Sequence, residues 1–530
     1  MRHVRSLATA CVAATVLTGC GGGDGDGGGG GGGSAEVVSG GTFTLALDSD
    51  PGNLDPQASV ANNLLQVSQF AYDPLLYQND EGELVSGLAS AWERDAQSVR
   101  LTMQEGITCS DGSPFTAEDA AANINHVADP ANESPLLGIY LPPGASASAD
   151  GDTVTIALAE PAPFVLEGLA SLPMVCGPAI DDRSVLAGGT LGTGPYELTE
   201  VVASDHLTYT KRDGYTWGPD GASTATEGLP DEIVAKIVSN ETTAANLLLS
   251  GGLNAAKVVG QDAQRLDQED LFSASASAVL GEMWFNQAAD RPGADPAVRQ
   301  ALTQALDLEQ VTTVLGSGRA TAATQLAANS PTACSGSSVE GAFPGQDLDA
   351  AGKALDDAGW TAGSGGTRSK DGNPLAVTLL YGTTLGAGAS PAAELMSAAW
   401  QELGVDVTVT AQDNTAVVGT LFGGGDWDVT LTPVNVSSPD QIVPFLSGPV
   451  VPDGNNFASI DNADYTAGVA EAATTNGAEG CDQWLDAEKA LYRDFDVVPF
   501  ANSQLAIYGA GAEFAIVGFV QPTSIRMLAN

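Results

Sequence analysis

Basic residues are scarce in this chain of 530 residues: Lys and Arg number 19 against 66 Asp and Glu, for a formal charge of −47. Such a field repels phosphate backbones and anionic lipid headgroups, which excludes nucleic acid as a partner. Histidine is scarcer still, with three residues at His3, His126 and His206. A histidine-rich metal site or a histidine-based triad has almost nothing to be built from, and no metal or cofactor is expected. Sequence signatures of chemistry are missing as well: there is no GxxxxGK[ST], no HExxH, no coherent SxxK set and no GxSxG between a strand and a helix. Gly365-Gly366 and Gly423-Gly424-Gly425 lack a lysine at P-loop spacing and read as turns. No internal repeat appears, which excludes a solenoid or propeller. Carboxylates are so abundant that a spaced pair carries no information, so the enzyme alternative, an exported hydrolase using two carboxylates, has no specific residues behind it.

What the chain does have is 43% hydrophobic residues, enough for two or three lobes. Its first 19 residues read as an export signal, with Arg2 and Arg5 before an apolar run from Leu7 to Leu17. That run is too short to span a bilayer. Leu17-Thr18-Gly19-Cys20 resembles the bacterial lipobox, in which the cysteine is diacylated and becomes the first mature residue. Residues 21–33, GGGDGDGGGGGGG, cannot bury apolar area and serve as tether, with a typical reach of about 20 Å. Two acyl chains make a stable anchor where one is marginal. Cys11 leaves with the signal and Cys20 takes the lipid, so Cys109, Cys176, Cys334 and Cys481 remain. An even number in an oxidising compartment implies two disulfides, with three pairings open.

Along the body, Gly41 to Leu47 alternates as a strand and runs into the turn Asp48-Ser49-Asp50-Pro51-Gly52. Thr116-Ala-Glu-Asp119 reads as a helix cap, and His126 as a helix-face residue without a second histidine near it in sequence. Thr242 to Leu249 is predicted helical, and Leu253 to Val259 a strand. Asp295 caps a helix with Pro296 at its first position; Val377, Leu379 and Tyr381 alternate as a strand; Ser390-Pro391 opens a helix that Gly404 ends. Val405, Val407 and Val409, then Val429 and Leu431, supply further strands. Strand, helix and strand at these intervals predict an α/β lobe with a partly parallel sheet. Trp400 reads as core and Trp360 as a plug beside Gly359. Met283-Trp284-Phe285-Asn286 reads either as a cleft wall or as a buried strand.

Several stretches in consistent order carry a family resemblance: GGTFTLALDSDPGNLDPQAS (40–59), EGITCSDGSPFTAEDA (105–120), GTGPYELTE (192–200), KRDGYTWGP (211–219), FNQAADRPGADPAVRQALTQALD (285–307) and AGKALDDAGW with KDGNPL (351–360, 370–375). Over nearly the whole mature body the chain resembles the extracellular solute-binding proteins of family 5, the dipeptide, oligopeptide and nickel receptors of ABC importers. The resemblance implies an α/β, periplasmic-binding-protein-like clamp of two lobes with an accessory lobe, the cluster C type. After the signal (1–19) and the lipidated tether (20–37), the first lobe would comprise 38–66, 190–283 and 503–530, the second 284–502, and the accessory lobe 67–189, with hinge crossings near Trp284 and Ala501. These lobes pair Cys109 with Cys176 and Cys334 with Cys481, each within one lobe.

The implied function is capture of a small solute, peptide or peptide-like, and its delivery to an ABC permease. The body would be monomeric, without cofactor or catalytic residue, and lipid-anchored on the extracellular face of the cell membrane. A sensor or adhesin with the same fold is the alternative role. By family position the cleft residues are Asp50, Trp284, Asn286, Tyr381, Thr432 and Asn435. Oligopeptide receptors of the family carry an aspartate shortly after the strand represented here by Val429 to Val434; this chain reads PVNVSSPDQ, and its first acid there is Asp440. A peptide, a modified amino compound and a neutral sugar-like solute are the candidate cargoes.

Overall fold

A computed structural model describes residues 36–529 apart from Ala96 and Ser364. The export signal, Cys20 and the glycine tether lie outside these residues. The main sheet is built from β1 (Thr42–Leu47), β2 (Tyr196–Val202), β3 (His206–Lys211), β4 (Glu232–Ile237), β5 (Ala255–Lys257), β6 (Phe272–Phe285), β7 (Ala376–Gly382), β8 (Asp406–Gln412), β9 (Val429–Leu431) and β10 (Val497–Gly509). Across the sheet the order is β8-β7-β9-β6-β10-β5-β1-β4-β3-β2, with the short strand Thr321–Ala322 beside β10.

β1 shows how the local pattern sets this arrangement. In TFTLAL every second residue is large and apolar, and Phe43, Leu45 and Leu47 are buried. They join Phe70, Tyr209 and Ile233 in the core of one half of the molecule. β1 runs parallel to β4 and β5, while β3 runs antiparallel to β2 and β4. In the other half, β7 runs parallel to both β8 and β9. There the helix Ala389–Glu402 buries Ala392, Met396 and Trp400, spaced four apart on one face, and the Trp400 indole donates to the Leu302 carbonyl at 2.8 Å. Gly404 stops that segment at φ +83, where a Cβ would lie 2.3 Å from the Gly366 carbonyl oxygen. Of the other expected elements, the strand over Leu253 to Val259 is confined to Ala255–Lys257, and the helix Pro296–Gln304 starts on Asp295, whose carboxylate accepts from Ala297 N at 3.1 Å.

Among the described residues, β6 and β10 are the strands that belong to both halves. They pair antiparallel from Phe272 opposite Gly509 to Trp284 opposite Val497, with a register shift at Gly281. A Cβ at Gly281 would lie 2.5 Å from the Phe500 ring, so the close approach at the bulge requires glycine. The first-half end of the pair meets β5, and the other end, at Met283 to Phe285, meets β9. Ala501 lies opposite the Gly281 bulge, whereas Trp284 is already among second-half neighbours.

A further core forms around a four-stranded antiparallel sheet, in the order Ala89–Asp95, Ser98–Met103, Thr153–Ala157, Ser146–Asp150. The helix Ala117–Ala128 packs on it and begins with a reciprocal Thr116/Asp119 capping box. This body is fastened to the first half by the fully buried Asp73, whose carboxylate accepts from Tyr77 (2.6 Å), Tyr215 (2.8 Å), Thr193 (2.8 Å) and Trp217 (3.1 Å). Burial pushes the carboxyl above its ordinary value, and the four donors oppose that push. Disulfides join Cys109 to Cys176 and Cys334 to Cys481. Among the described residues no helix is long and apolar enough to cross a membrane.

Candidate ligand-binding cleft

The central stretch of β6 reads Ser-Ala-Ser-Ala-Val-Leu, and its small side chains leave space where β6 and β10 cross from one half to the other. Ala276 to Leu280 and Ser503 to Leu505 line a cavity of about 1030 Å³ there, just above the usual range of small-ligand sites. Its walls are the segments that leave the carboxyl ends of β1, β7 and β9: Asp48, the loop from Gly382 to Gly388, and the run from Thr432 to Ser438. Carboxyl ends of parallel strands are where an α/β sheet presents loops with free backbone groups to a ligand. The accessory body adds Tyr140, Phe164 and Glu167 on a third side.

The charge excess of the chain is not concentrated in this cavity. Its charged lining is two acids, Asp48 and Glu167, and two bases, Lys257 and Arg319; the rest of its polar surface is amide, hydroxyl and backbone. Arg319 bonds to Asp267 and, at 3.0 Å, to the Tyr508 hydroxyl, which ties the segment after helix Leu308–Leu315 to the opposite half beside the shared strands. Among the described residues no group of three or more His, Cys, Asp or Glu gathers as a metal site.

Of the six residues expected in the cleft, the structure brings Thr432 and Asn435 to the cavity wall. Trp284 is fully buried in the second-half core, its ring 5.0 Å from that of Phe457, and its indole donates to the Thr432 carbonyl at 2.9 Å. The buried-strand alternative therefore describes it: the side chain supports the wall from behind. Neighbouring Glu282 acts on the same loop, accepting from Val434 N at 2.7 Å, and burial pushes its carboxyl up to about 8. Asn286 is buried behind β9, donating to the Trp427 carbonyl at 3.1 Å, because its backbone continues the β6 ladder to Asp428. Tyr381 is buried in the second-half core at the end of β7, one residue before Gly382 reaches the cavity. Asp50 is exposed, and its carboxylate accepts from Gly52 N (2.9 Å) and Ser204 N (2.7 Å), pinning the β2–β3 turn. These four line no part of the cavity.

The residues that sequence reasoning missed are the small ones of β6 and the accessory contribution. The alternation Ser-Ala-Ser-Ala is the one local signal for the first, since a strand without bulky side chains on either face leaves room beside it. Phe164 packs against Trp484 at 5.9 Å between ring centroids, next to the Cys334–Cys481 disulfide, and the Pro163 carbonyl accepts from Gly477 N at 2.8 Å. The accessory body thus touches the second half directly and closes one side of the cavity.

Comparison with known proteins agrees with this architecture. The family model described as Bacterial extracellular solute-binding proteins, family 5 Middle, matches residues 83–448. Protein XP55 of Streptomyces lividans is 28% identical over 393 residues, 71% of this chain and 67% of that protein. The periplasmic murein peptide-binding protein MppA of Escherichia coli is 24% identical over 87% of this chain and 88% of its own length. The glutathione-binding protein GsiB of the same species aligns at 28% identity, but the chain spans only 55% of it. Among solved structures, a substrate-binding protein from Microbacterium hydrocarbonoxydans in complex with 4-hydroxybenzoate hydrazide matches with TM-score 0.67 and 25% identity, over 92% of this chain and 99% of that one. The open, unliganded form of MppA matches with TM-score 0.75 and 21% identity, over 94% and 99% of the two chains. With its two α/β halves bridged by two long strands around a cavity, this chain is a binding protein rather than an enzyme, of the periplasmic-binding-protein-like fold, and it belongs to the bacterial extracellular solute-binding proteins of family 5.

Proposed function

We propose that the protein captures a small peptide or peptide-like solute in the cavity between its two halves and delivers it to the permease of an ABC importer. The observation that carries this reading is the cavity of about 1030 Å³, walled by loops from both halves and floored by two strands they share. Residues 38–66, 190–283 and 503–530 form one lobe, 284–502 the other and 67–189 the accessory lobe, so that closure bends β6 and β10 near Gly281. Neither disulfide links the first lobe to the second, which leaves that bend free. Thr432 and Asn435 supply polar contacts to the solute. Two relatives, the murein peptide-binding protein MppA and the glutathione-binding protein GsiB, support a peptide-like cargo. Cys20 carries the lipid that holds the monomeric body at the extracellular face of the membrane.

Thermal unfolding with and without a panel of short peptides tests the capture. A solute at a hundred times its dissociation constant stabilises the folded state by about 2.7 kcal/mol, whereas no shift with any member contradicts the peptide reading. Replacement Cys20→Ser releases the protein from membranes if the anchor is correct; continued tight association after export contradicts it.

A further inference from the structure

The accessory body is attached on two sides, and the two attachments differ in kind. Toward the first half it is stitched by charged and amide groups. Besides the donors gathered on Asp73, the buried Gln57 side chain donates to Asn123 Oδ1 and to the Pro173 carbonyl, both at 2.8 Å. Arg183 pairs with Asp55 at 2.7 Å, and Arg212 reaches the Thr108 and Cys109 carbonyls at 2.8 and 2.9 Å. Hydrogen bonds with one ionised partner are the strong ones, so this seam is expensive to open.

Toward the second half the attachment is one aromatic knob. Phe164 is 4% exposed and sits among Ala333, Cys334, Ala472, Cys481 and Trp484, a socket stapled by the Cys334–Cys481 disulfide. Among the described residues two hydrogen bonds cross this contact: Gly477 N donates to the Pro163 carbonyl at 2.8 Å, and Gln441 Nε2 to the Ile139 carbonyl at 3.2 Å. Arg94 faces Asp440 of the second half without pairing with it, because its guanidinium is turned to the Pro163 and Ala162 carbonyls. Beside the contact, Arg94 Nε, Glu167 Oε2 and Trp484 Nε1 are buried without a partner. Burial of Phe164 favours the contact and these dry polar atoms oppose it, so it is weaker than its apolar area alone would make it.

Closure that bends β6 and β10 sets the two attachments against each other. When the halves part, either the Asp73 seam or the Phe164 contact has to open, and the Phe164 contact is the weaker. We infer that Phe164 in its socket is a releasable latch, by which the accessory body fastens the second half over a bound solute and frees it when the cleft opens. This rests on the capture reading above, to which it adds a task for the accessory body. Phe164 lines the cavity, so a solute held there lies against the latch and favours its closed form.

Two backbone amides report the two attachments separately. Gly477 N finds its acceptor, Pro163, across the latch, and Gly194 N finds its acceptor, Ala71, across the seam at 3.0 Å. Hydrogen exchange is followed at both by mass spectrometry, in protein dialysed free of retained solute. Gly477 is expected to be protected about 100-fold less than Gly194. Phe164→Ala should speed exchange at Gly477 about tenfold more and leave Gly194 level, with Phe164→Leu, which keeps an apolar knob, in between. Equal protection of the two amides in the wild type overturns the latch, and that comparison holds even if the variants fold poorly. Exchange at Gly477 that ignores both substitutions overturns it too, since it would then report only fraying of the Gly477 turn. Tri-alanine is the solute probe, and its binding should slow Gly477 about tenfold. Calorimetric binding of tri-alanine with Gly477 unchanged overturns the latch and leaves capture standing. Failure of every peptide to bind contradicts the capture reading, and the wild-type comparison still decides whether this contact is the one that opens.

Discussion

Asp73 and Glu167 are both carboxylates set into the accessory region, yet one accepts four hydrogen bonds and the other leaves an oxygen without any. Asp73 joins segments that must stay together whatever the solute, so its donors come from the chain itself. Glu167 belongs to the residues that line the cavity, and its Oε2 is buried without a donor from the chain. The same division runs through the second half. Trp284 and Glu282 hold the Thr432–Val434 loop from within, while Thr432 and Asn435 look into the cavity. Trp284 and Glu282 thus act on the loop from behind the wall, and Thr432 and Asn435 are the part of it that the cavity meets.

The largest test of this division is removal of Asp73. Asp73→Ala strands the buried hydroxyls of Tyr77, Thr193 and Tyr215, while the Trp217 indole keeps the Thr193 carbonyl at 3.2 Å, and is expected to destabilise the fold by about 3–5 kcal/mol in urea denaturation. A loss under 1 kcal/mol would remove Asp73 from the building class. Trp284→Ala opens a core cavity, with an expected loss of about 3–5 kcal/mol, and also frees the Thr432 carbonyl. Affinity lost with stability unchanged would instead return Trp284 to the wall.

A smaller effect comes from pH. Glu167 and Glu282 have folded values of about 7 and about 8, above the ordinary 4.5 of an unfolded glutamate. The folded protein then binds more protons than the unfolded chain between pH 4.5 and these values. Stability from these two groups is complete below pH 4.5 and is lost as pH rises through 7 and 8. The expected decline is about 1–3 kcal/mol per group. Because self-repulsion of the acidic chain acts in the same direction, the comparison is with Glu167→Gln and Glu282→Gln. Each should flatten its own part of the profile; an unchanged profile in both variants contradicts the burial argument. The smallest expected effect is that of Asp50→Ala, about 1 kcal/mol from a loosened β2–β3 turn, with solute affinity untouched; a tenfold loss of affinity would place Asp50 at the solute after all.

Much of the scaffold was legible because it depends on neighbours in sequence. The Thr116/Asp119 capping box, Asp295 with Pro296, and the alternations in β1 and β7 are local patterns, and the structure forms each of them. The cleft was legible only in part. Trp284 beside Met283 and Phe285 fits a buried strand and a wall equally well until Phe457, distant in sequence, is known to pack on it. Glu167 is one acid among 66 acidic residues, and its character arises from Arg94, Asp440 and Gly477, which meet it only through folding. The wall positions at Thr432 and Asn435 came from family order, and nothing in their own chemistry distinguishes them from other polar loop residues.

The central claim is that the solute sits between the two halves, over the shared strands. A crystal structure of the protein with the solute it retains through native purification tests that most directly. The expected result is solute in the cavity within hydrogen-bond distance of Thr432 or Asn435. Solute bound elsewhere on the molecule, with the cavity occupied only by water, would contradict the account.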